Sequence, residues 1–202
     1  HDARHFGLEN PQGMTFDPAS GHLFVLDATG PRIVRIEPEP GGGFDNATIS
    51  EVDLRQTGLV DPRGLAFDPS TGHLHLLIPA QQTLYELTQT GQIVAARDLS
   101  EFGLGQPQAM VFAPSGDATD DPAIINLYVA DSGRQGAGSL LAGSRPDGGE
   151  ATDVTQSSGQ IVELSFSQPA AAAASSFQSI LVQTINTWQW NPPSPDPAGI
   201  VY

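Results

Sequence analysis

The feature that most constrains this chain is that it repeats itself. Pro11-Gln12-Gly13-Met14-Thr15-Phe16-Asp17-Pro18-Ala19-Ser20-Gly21-His22-Leu23 returns almost position for position as Pro62-Arg63-Gly64-Leu65-Ala66-Phe67-Asp68-Pro69-Ser70-Thr71-Gly72-His73-Leu74. A third copy opens at Pro107-Gln108-Ala109-Met110-Val111-Phe112-Ala113-Pro114, and a fourth at Asp196-Pro197-Ala198-Gly199-Ile200-Val201-Tyr202. The starts at Pro11, Pro62 and Pro107 set periods of roughly 51 and 45 residues, the length of one β-propeller blade.

The undecorated copy, residues 62–99, shows what each unit is made of. Four short apolar runs, 65–67, 74–78, 84–87 and 93–96, are separated by Asp68-Pro69-Ser70-Thr71-Gly72, Pro79-Ala80-Gln81-Gln82 and Thr90-Gly91. Runs of this length between turn residues predict a four-stranded antiparallel meander. The fold class is therefore all-β, a propeller of four-stranded antiparallel blades. Blade 1 is read over 11–54, blade 2 over 62–99 and blade 3 over 107–185 with a long insert at 132–159. A linker follows over 186–197, then the first strand of a further blade over 198–202. A closed propeller takes at least about four blades, so the last sheet is expected to be completed by further chain or by a neighbouring copy.

The turn chemistry has a mechanism. Asp17-Pro18 and Asp68-Pro69 start turns because an Asp side chain accepts backbone hydrogen bonds while Pro presets φ, and Gly21 and Gly72 supply the positive φ that closes each hairpin. Phe16, Phe67, Phe112 and Tyr202 fall at one repeat position and are expected to fill the space between neighbouring blades.

Charge narrows the partners. There are 23 acidic residues against 8 basic ones, every one of them Arg, for a formal charge of −15. Such a surface repels nucleic-acid phosphates and anionic membranes and suits cations or basic partners. The chain has no Cys, which removes disulfide and thiol chemistry. No apolar run approaches the roughly 18 residues of a membrane span. His1 in place of an initiator Met is read as a sign of processing, and the expected location is extracellular or at the cell surface.

The motif P-x-G-hydrophobic-x-F-D-P-x-[ST]-G-H-L, with a second strand ending in Asp, resembles the NHL-type repeats and the related six-bladed propellers of the gluconolactonase-like and phytase-like groups. Pro11, Gly13, Phe16, Asp17, Pro18, Gly21, Leu23 and Asp27 carry it, then Pro62, Gly64, Phe67, Asp68, Pro69, Gly72 and Leu74, then Pro107, Phe112, Pro114, Tyr128, Val129, Ala130 and Asp131. The resemblance spans nearly the whole chain and implies the fold. The scaffold hosts lactonases, lyases, receptors and plain interaction modules, so it implies no single activity. In gluconolactonase-like enzymes the metal also takes a Glu and an Asn from other inner strands, for which this chain has no clear match.

The candidate sites are few. Asp27 and Asp131 end the second strands of blades 1 and 3, where two carboxylates could hold a hard cation such as Ca²⁺ or simply accept hydrogen bonds from the next turn; blade 2 has Ile78 there. Asp117, Asp120 and Asp121 form an acidic loop without the Gly and distal Glu of an EF-hand. His22 and His73 share one hairpin slot, a turn role, and His73 and His75 share a strand face that a zinc pair would need. Asn46-Ala47-Thr48 is a glycosylation sequon in the insert of blade 1. Trp188 and Trp190 share a face if extended, suited to inter-blade packing or to stacking a ligand. No GxSxG, HExxH, Walker or Rossmann pattern is present. The sequence therefore favours an exported interaction or assembly module, with further copies of itself or the rest of a longer chain as partner. A Ca²⁺-dependent lactonase or phytase-like esterase is the alternative.

Overall fold

The computed structural model describes residues 2–117, 119–121, 123–133, 159–167 and 178–186. Its strands assemble into three four-stranded antiparallel sheets, each in simple sequential order. Blade 1 comprises β1 (Pro11–Phe16), β2 (Leu23–Asp27), β3 (Arg32–Glu37) and β4 (Thr48–Asp53). Blade 2 comprises β5 (Arg63–Asp68), β6 (His73–Ile78), β7 (Thr83–Leu87) and β8 (Ile93–Asp98). Blade 3 comprises β9 (Pro107–Pro114), β10 (Ile125–Asp131), β11 (Gln160–Ser167) and β12 (Gln178–Asn186). The linker from 187 onward, the strand read at 198–202 and residues 134–158 of the insert lie outside the described residues.

The hairpins form for the reasons the sequence supplies. Asp17 accepts the Ala19 amide at 2.9 Å and the Ser20 hydroxyl at 2.6 Å, and Asp68 takes the Ser70 amide at 2.8 Å and the Thr71 hydroxyl at 2.9 Å. Gly21 and Gly72 then close the turns at φ 76° and 72°, a conformation that side-chain-bearing residues adopt only at a cost. The blades are preceded by one recurring device as well. Short 3-10 turns at Ala3–Phe6, Arg55–Thr57 and Ser100–Phe102 each end on a glycine, after which Leu8, Leu59 and Leu104 insert into the core.

The blades stack through their faces, with the inner strand β5 lying between β1 and β9. The approach of β1 to β5 is close enough that a Cβ on Gly13 would lie 2.8 Å from the Leu65 backbone nitrogen, so only glycine fits there. Strand alternation then assigns the faces. Leu65, Phe67, Leu74, Leu76, Ile78 and Leu87 of blade 2 pack on Phe24, Leu26 and Ile33 of blade 1. Met110, Phe112, Leu127, Val129, Val162 and Leu164 of blade 3 pack on Ala66, Leu77 and Leu84 of blade 2. Burying each such side chain contributes about 1.5–3 kcal/mol. These joints arrange the sheets as successive propeller blades.

One expectation needs correcting. Phe67 and Phe112 do fill inter-blade space, each 8% exposed, but Phe16 at the same repeat position is 51% exposed. Its ring points away from blade 2, because the neighbouring Thr15 is the residue that turns toward blade 2 and accepts the Phe67 amide at 2.9 Å. An identical motif thus ends in a different environment, since a buried ring needs a blade on its own side. Tyr202 lies outside the described residues.

Candidate functional site

Asp27 and Asp131 are both fully buried, and each closes the lead-in loop of its own blade. Asp27 accepts the amides of Glu9 at 3.0 Å, Asn10 at 2.9 Å and Thr29 at 3.1 Å, together with an Arg32 guanidinium N–H at 3.0 Å. Burial alone would push its pKa up; the four donors outweigh it and hold the carboxyl below the usual value. Asp131 does the same work for blade 3, taking the amides of Gly105 at 2.9 Å and Gln106 at 2.6 Å and the Gln160 side chain at 3.0 Å. Their oxygens are therefore engaged by protein donors within their own blades. In blade 2 the equivalent Ile78 packs into the core, and the lead-in turns by another route, with Asp61 at φ 50° and Arg63 paired to it at 3.2 Å.

The other sequence candidates are dispersed. Asp117 and Asp121 each accept amides within their own loop, from Thr119 at 2.8 Å and Ala123 at 2.9 Å, and Asp120 accepts the Ser115 hydroxyl at 2.6 Å. Asn46 stands exposed ahead of β4, its side-chain amide 3.4 Å from Glu39. Trp188 and Trp190 lie outside the described residues. Among the described residues, no group of three or more His, Asp or Glu side chains could hold a metal ion.

His73 and His75 do share a face, as their spacing requires, and that face looks onto blade 3. The turn role read for His73 is supplemented by a cross-strand one: its Nδ1 lies 2.7 Å from Glu86 Oε1, while Arg97 donates to Glu86 Oε2 at 2.8 Å. Burial pushes the Glu86 carboxyl up, but the His73 and Arg97 hydrogen bonds prevail and lower it. A second buried acid, Glu163, stands at the same repeat position in blade 3. It accepts the Gly116 amide at 2.9 Å, the Asn126 side-chain amide at 2.8 Å and the Gln183 side-chain amide at 2.5 Å. Burial and the Glu163 carboxylate beside it raise the Tyr128 phenol, whose hydroxyl donates to the Pro114 carbonyl at 2.8 Å. Sequence reasoning passed over Glu86, Arg97 and Glu163. The signal for the two acids was there in Leu84-Tyr85-Glu86-Leu87 and Val162-Glu163-Leu164, a charge in the middle of an apolar strand.

An apolar opening lies along the inner strands. A groove of about 470 Å³ runs past Met14, Phe16, Pro18, Phe67, Phe112 and Pro114, and among the described residues no charged one lines it. It continues onto the outward face of blade 1, where a second hollow of about 410 Å³ is lined by Phe6, Met14, Leu23 and Val25. Met14, Phe16, Leu23, Val25, Val34 and Ile36 on that face are the repeat equivalents of the six residues through which blade 3 docks on blade 2 and, with the partly buried Tyr85 at the Val34 position, of those through which blade 2 docks on blade 1. Val25, Val34 and Ile36 are covered by Phe6, Leu8, Phe44 and Ala47, the last two from the loop before β4. Met14, at 66% exposure, and Phe16 are left open. Isolated exposed apolar residues are ordinary; Met14 and Phe16 are neighbours on one face and stand at positions that are buried in a joint in blades 2 and 3.

No protein-family model matches this chain, and no curated protein does. Among solved structures it is similar to a nidogen/laminin complex, with a TM-score of 0.47 and 18% identity over 77% of this chain and 44% of that one. It is also similar to a protein of unknown function from Bacteroides caccae, with a TM-score of 0.35 and 14% identity over 87% of this chain and 60% of that one. The chain spans less than two thirds of the length of either.

Proposed function

We propose that this chain is a β-propeller interaction module, exported or at the cell surface, that works by docking a further propeller blade onto the open face of blade 1. The observation that carries the reading is the contrast at one repeat position: Phe67 and Phe112 are 8% exposed beneath a neighbouring blade, and Phe16 is 51% exposed without one. The occupant is a like blade because the two joints inside the chain already use this face for one, and the groove beside it carries no charge that would select a polar ligand. The source we favour is a second copy of the chain. A Ca²⁺-dependent hydrolase would need Asp27 and Asp131 released from the amides they now hold, which weighs against that alternative.

Sedimentation velocity over a wide concentration range tests the proposal. The chain is expected to associate as concentration rises, and Phe16→Asp is expected to weaken that association at least tenfold, since it buries a charge in an apolar joint. A monomer at every concentration, or association indifferent to Phe16→Asp, overturns it. Titration calorimetry with Ca²⁺ is the companion measurement; heat that disappears in Asp27→Ala and Asp131→Ala would favour the hydrolase instead.

A further inference from the structure

The joint between blades 2 and 3 contains a group that docking does not use. His75 is 1% exposed, and neither of its ring nitrogens has a hydrogen-bond partner. Its ring meets the edge of Phe112 at 4.9 Å between centroids and lies nearly parallel to Phe166 at 5.9 Å. The Arg97 guanidinium carbon sits 4.8 Å from the centre of the same Phe166 ring. The charged and titratable groups facing His75 are Asp68 from β5, His73 from its own strand, Glu86 from β7 and Arg97 from β8. Blade 3 contributes the uncharged rings of Phe112 from β9 and Phe166 from β11.

We infer that this joint is an acid-sensitive hinge: protonation of His75 opens blade 3 away from blade 2 while the joint between blades 1 and 2 stays shut. An imidazolium formed in place would present two N–H donors with no acceptor in reach. Both oxygens of Glu86, the nearest carboxylate, are already taken by His73 and Arg97. The two rings offer cation–π attraction, but this is worth only about 0.5–2 kcal/mol, against several for dehydrating a buried charge. Arg97 adds a like charge to the same face. Between blades 1 and 2 the equivalent position is Phe24, stacked on Phe67, which cannot titrate.

The direction with pH follows by linkage. Burial is the main cause that lowers the His75 pKa from 6.5 to about 4, with Glu86 opposing it less strongly. Above pH 6.5 the ring is neutral in both the closed and the open joint, and acid has no leverage. Between pH 6.5 and about 4 the open joint takes up the proton first, so opening becomes up to tenfold more favourable per pH unit, about 300-fold over the window. Below about pH 4 the contribution is fully lost. Glu86, held below its ordinary value, adds its own loss as pH falls through its folded pKa. Opening uncovers Met110 and Phe112, the repeat equivalents of Met14 and Phe16, so acid would create a second docking face.

Hydrogen exchange on the full chain, read strand by strand from pH 7.5 to 4.5 and corrected for intrinsic rates, tests this. The β6, β9 and β11 segments are expected to lose protection below pH 6.5 while β2 and β3 keep theirs, and His75→Phe should remove the difference. Because His75→Phe could disturb packing, the His75 ring of the unsubstituted chain should also be followed by nitrogen NMR, staying neutral down to near pH 4. Uniform loss in all three blades, an unchanged pH response in a folded His75→Phe, or a ring that titrates near 6.5 overturns the inference.

Discussion

The joint between blades 1 and 2 and the joint between blades 2 and 3 occupy the same repeat positions and are filled with different chemistry. In the first, Phe24 and Phe67 stack at 6.2 Å with their planes 6° apart, backed by Leu26, Ile33 and Leu76. In the second, His75 takes the place of Phe24, and Glu86 and Arg97 lie beside it under Phe166. The repeat therefore specifies the shape of a joint, namely which six residues meet which neighbour, and leaves its polarity free to vary. An apolar joint depends on area alone, whereas a polar one also depends on every buried donor and acceptor finding a partner.

Substitutions can break that contrast or sharpen it. The largest effect is expected from Glu86→Ala, which removes the carboxylate held by both His73 and Arg97 in a nearly dry site. A loss of about 3–5 kcal/mol in urea unfolding is expected, most of it recovered when Arg97→Met is added, because an apolar pair can replace a buried ion pair without penalty. Equal destabilisation by the single and double variants would show that the ion pair is not what the joint relies on. Next is Phe24→His, which writes the second joint's chemistry into the first. It should cost about 2 kcal/mol at neutral pH for an unsatisfied imidazole, and should give blade 1 the acid response that it lacks. Smallest is Phe67→Leu, an apolar exchange worth about 1 kcal/mol whose effect on the melting temperature should not vary between pH 4 and pH 8. A pH-dependent loss there would mean that the two joints are coupled through blade 2.

How much of this was legible beforehand depends on whether the cause is local. The hairpins were readable because Asp17, Gly21, Asp68 and Gly72 satisfy their own turns within a few residues. The blade boundaries followed from the same punctuation. Asp27 and Asp131 were visible as unusual strand-ending acids, but the lead-in amides they hold are 17 to 26 residues away, and a backbone donor leaves no mark in a sequence. The exposure of Phe16 could not be read at all. Its motif matches that of Phe67, and only the presence or absence of a blade beyond β1 distinguishes them. Glu86 and Glu163 were legible in principle, since a charge amid leucines and valines on a strand needs a reason.

The connection between β10 and β11 has a consequence for the order in which the blades form. The corresponding links in blades 1 and 2 are four-residue turns, 28–31 and 79–82, while blade 3 must close residues 132–159 before its third strand can pair. Loop closure entropy grows as the logarithm of length, so a loop about seven times longer costs about 1.7 kcal/mol more before the pairing returns anything. Ordinary hairpins form within microseconds, and blade 3 begins with a handicap of roughly twentyfold in that step. Blades 1 and 2 are therefore expected to be standing when β11 arrives, so that Phe112 and Phe166 close over a His75 already held in its strand.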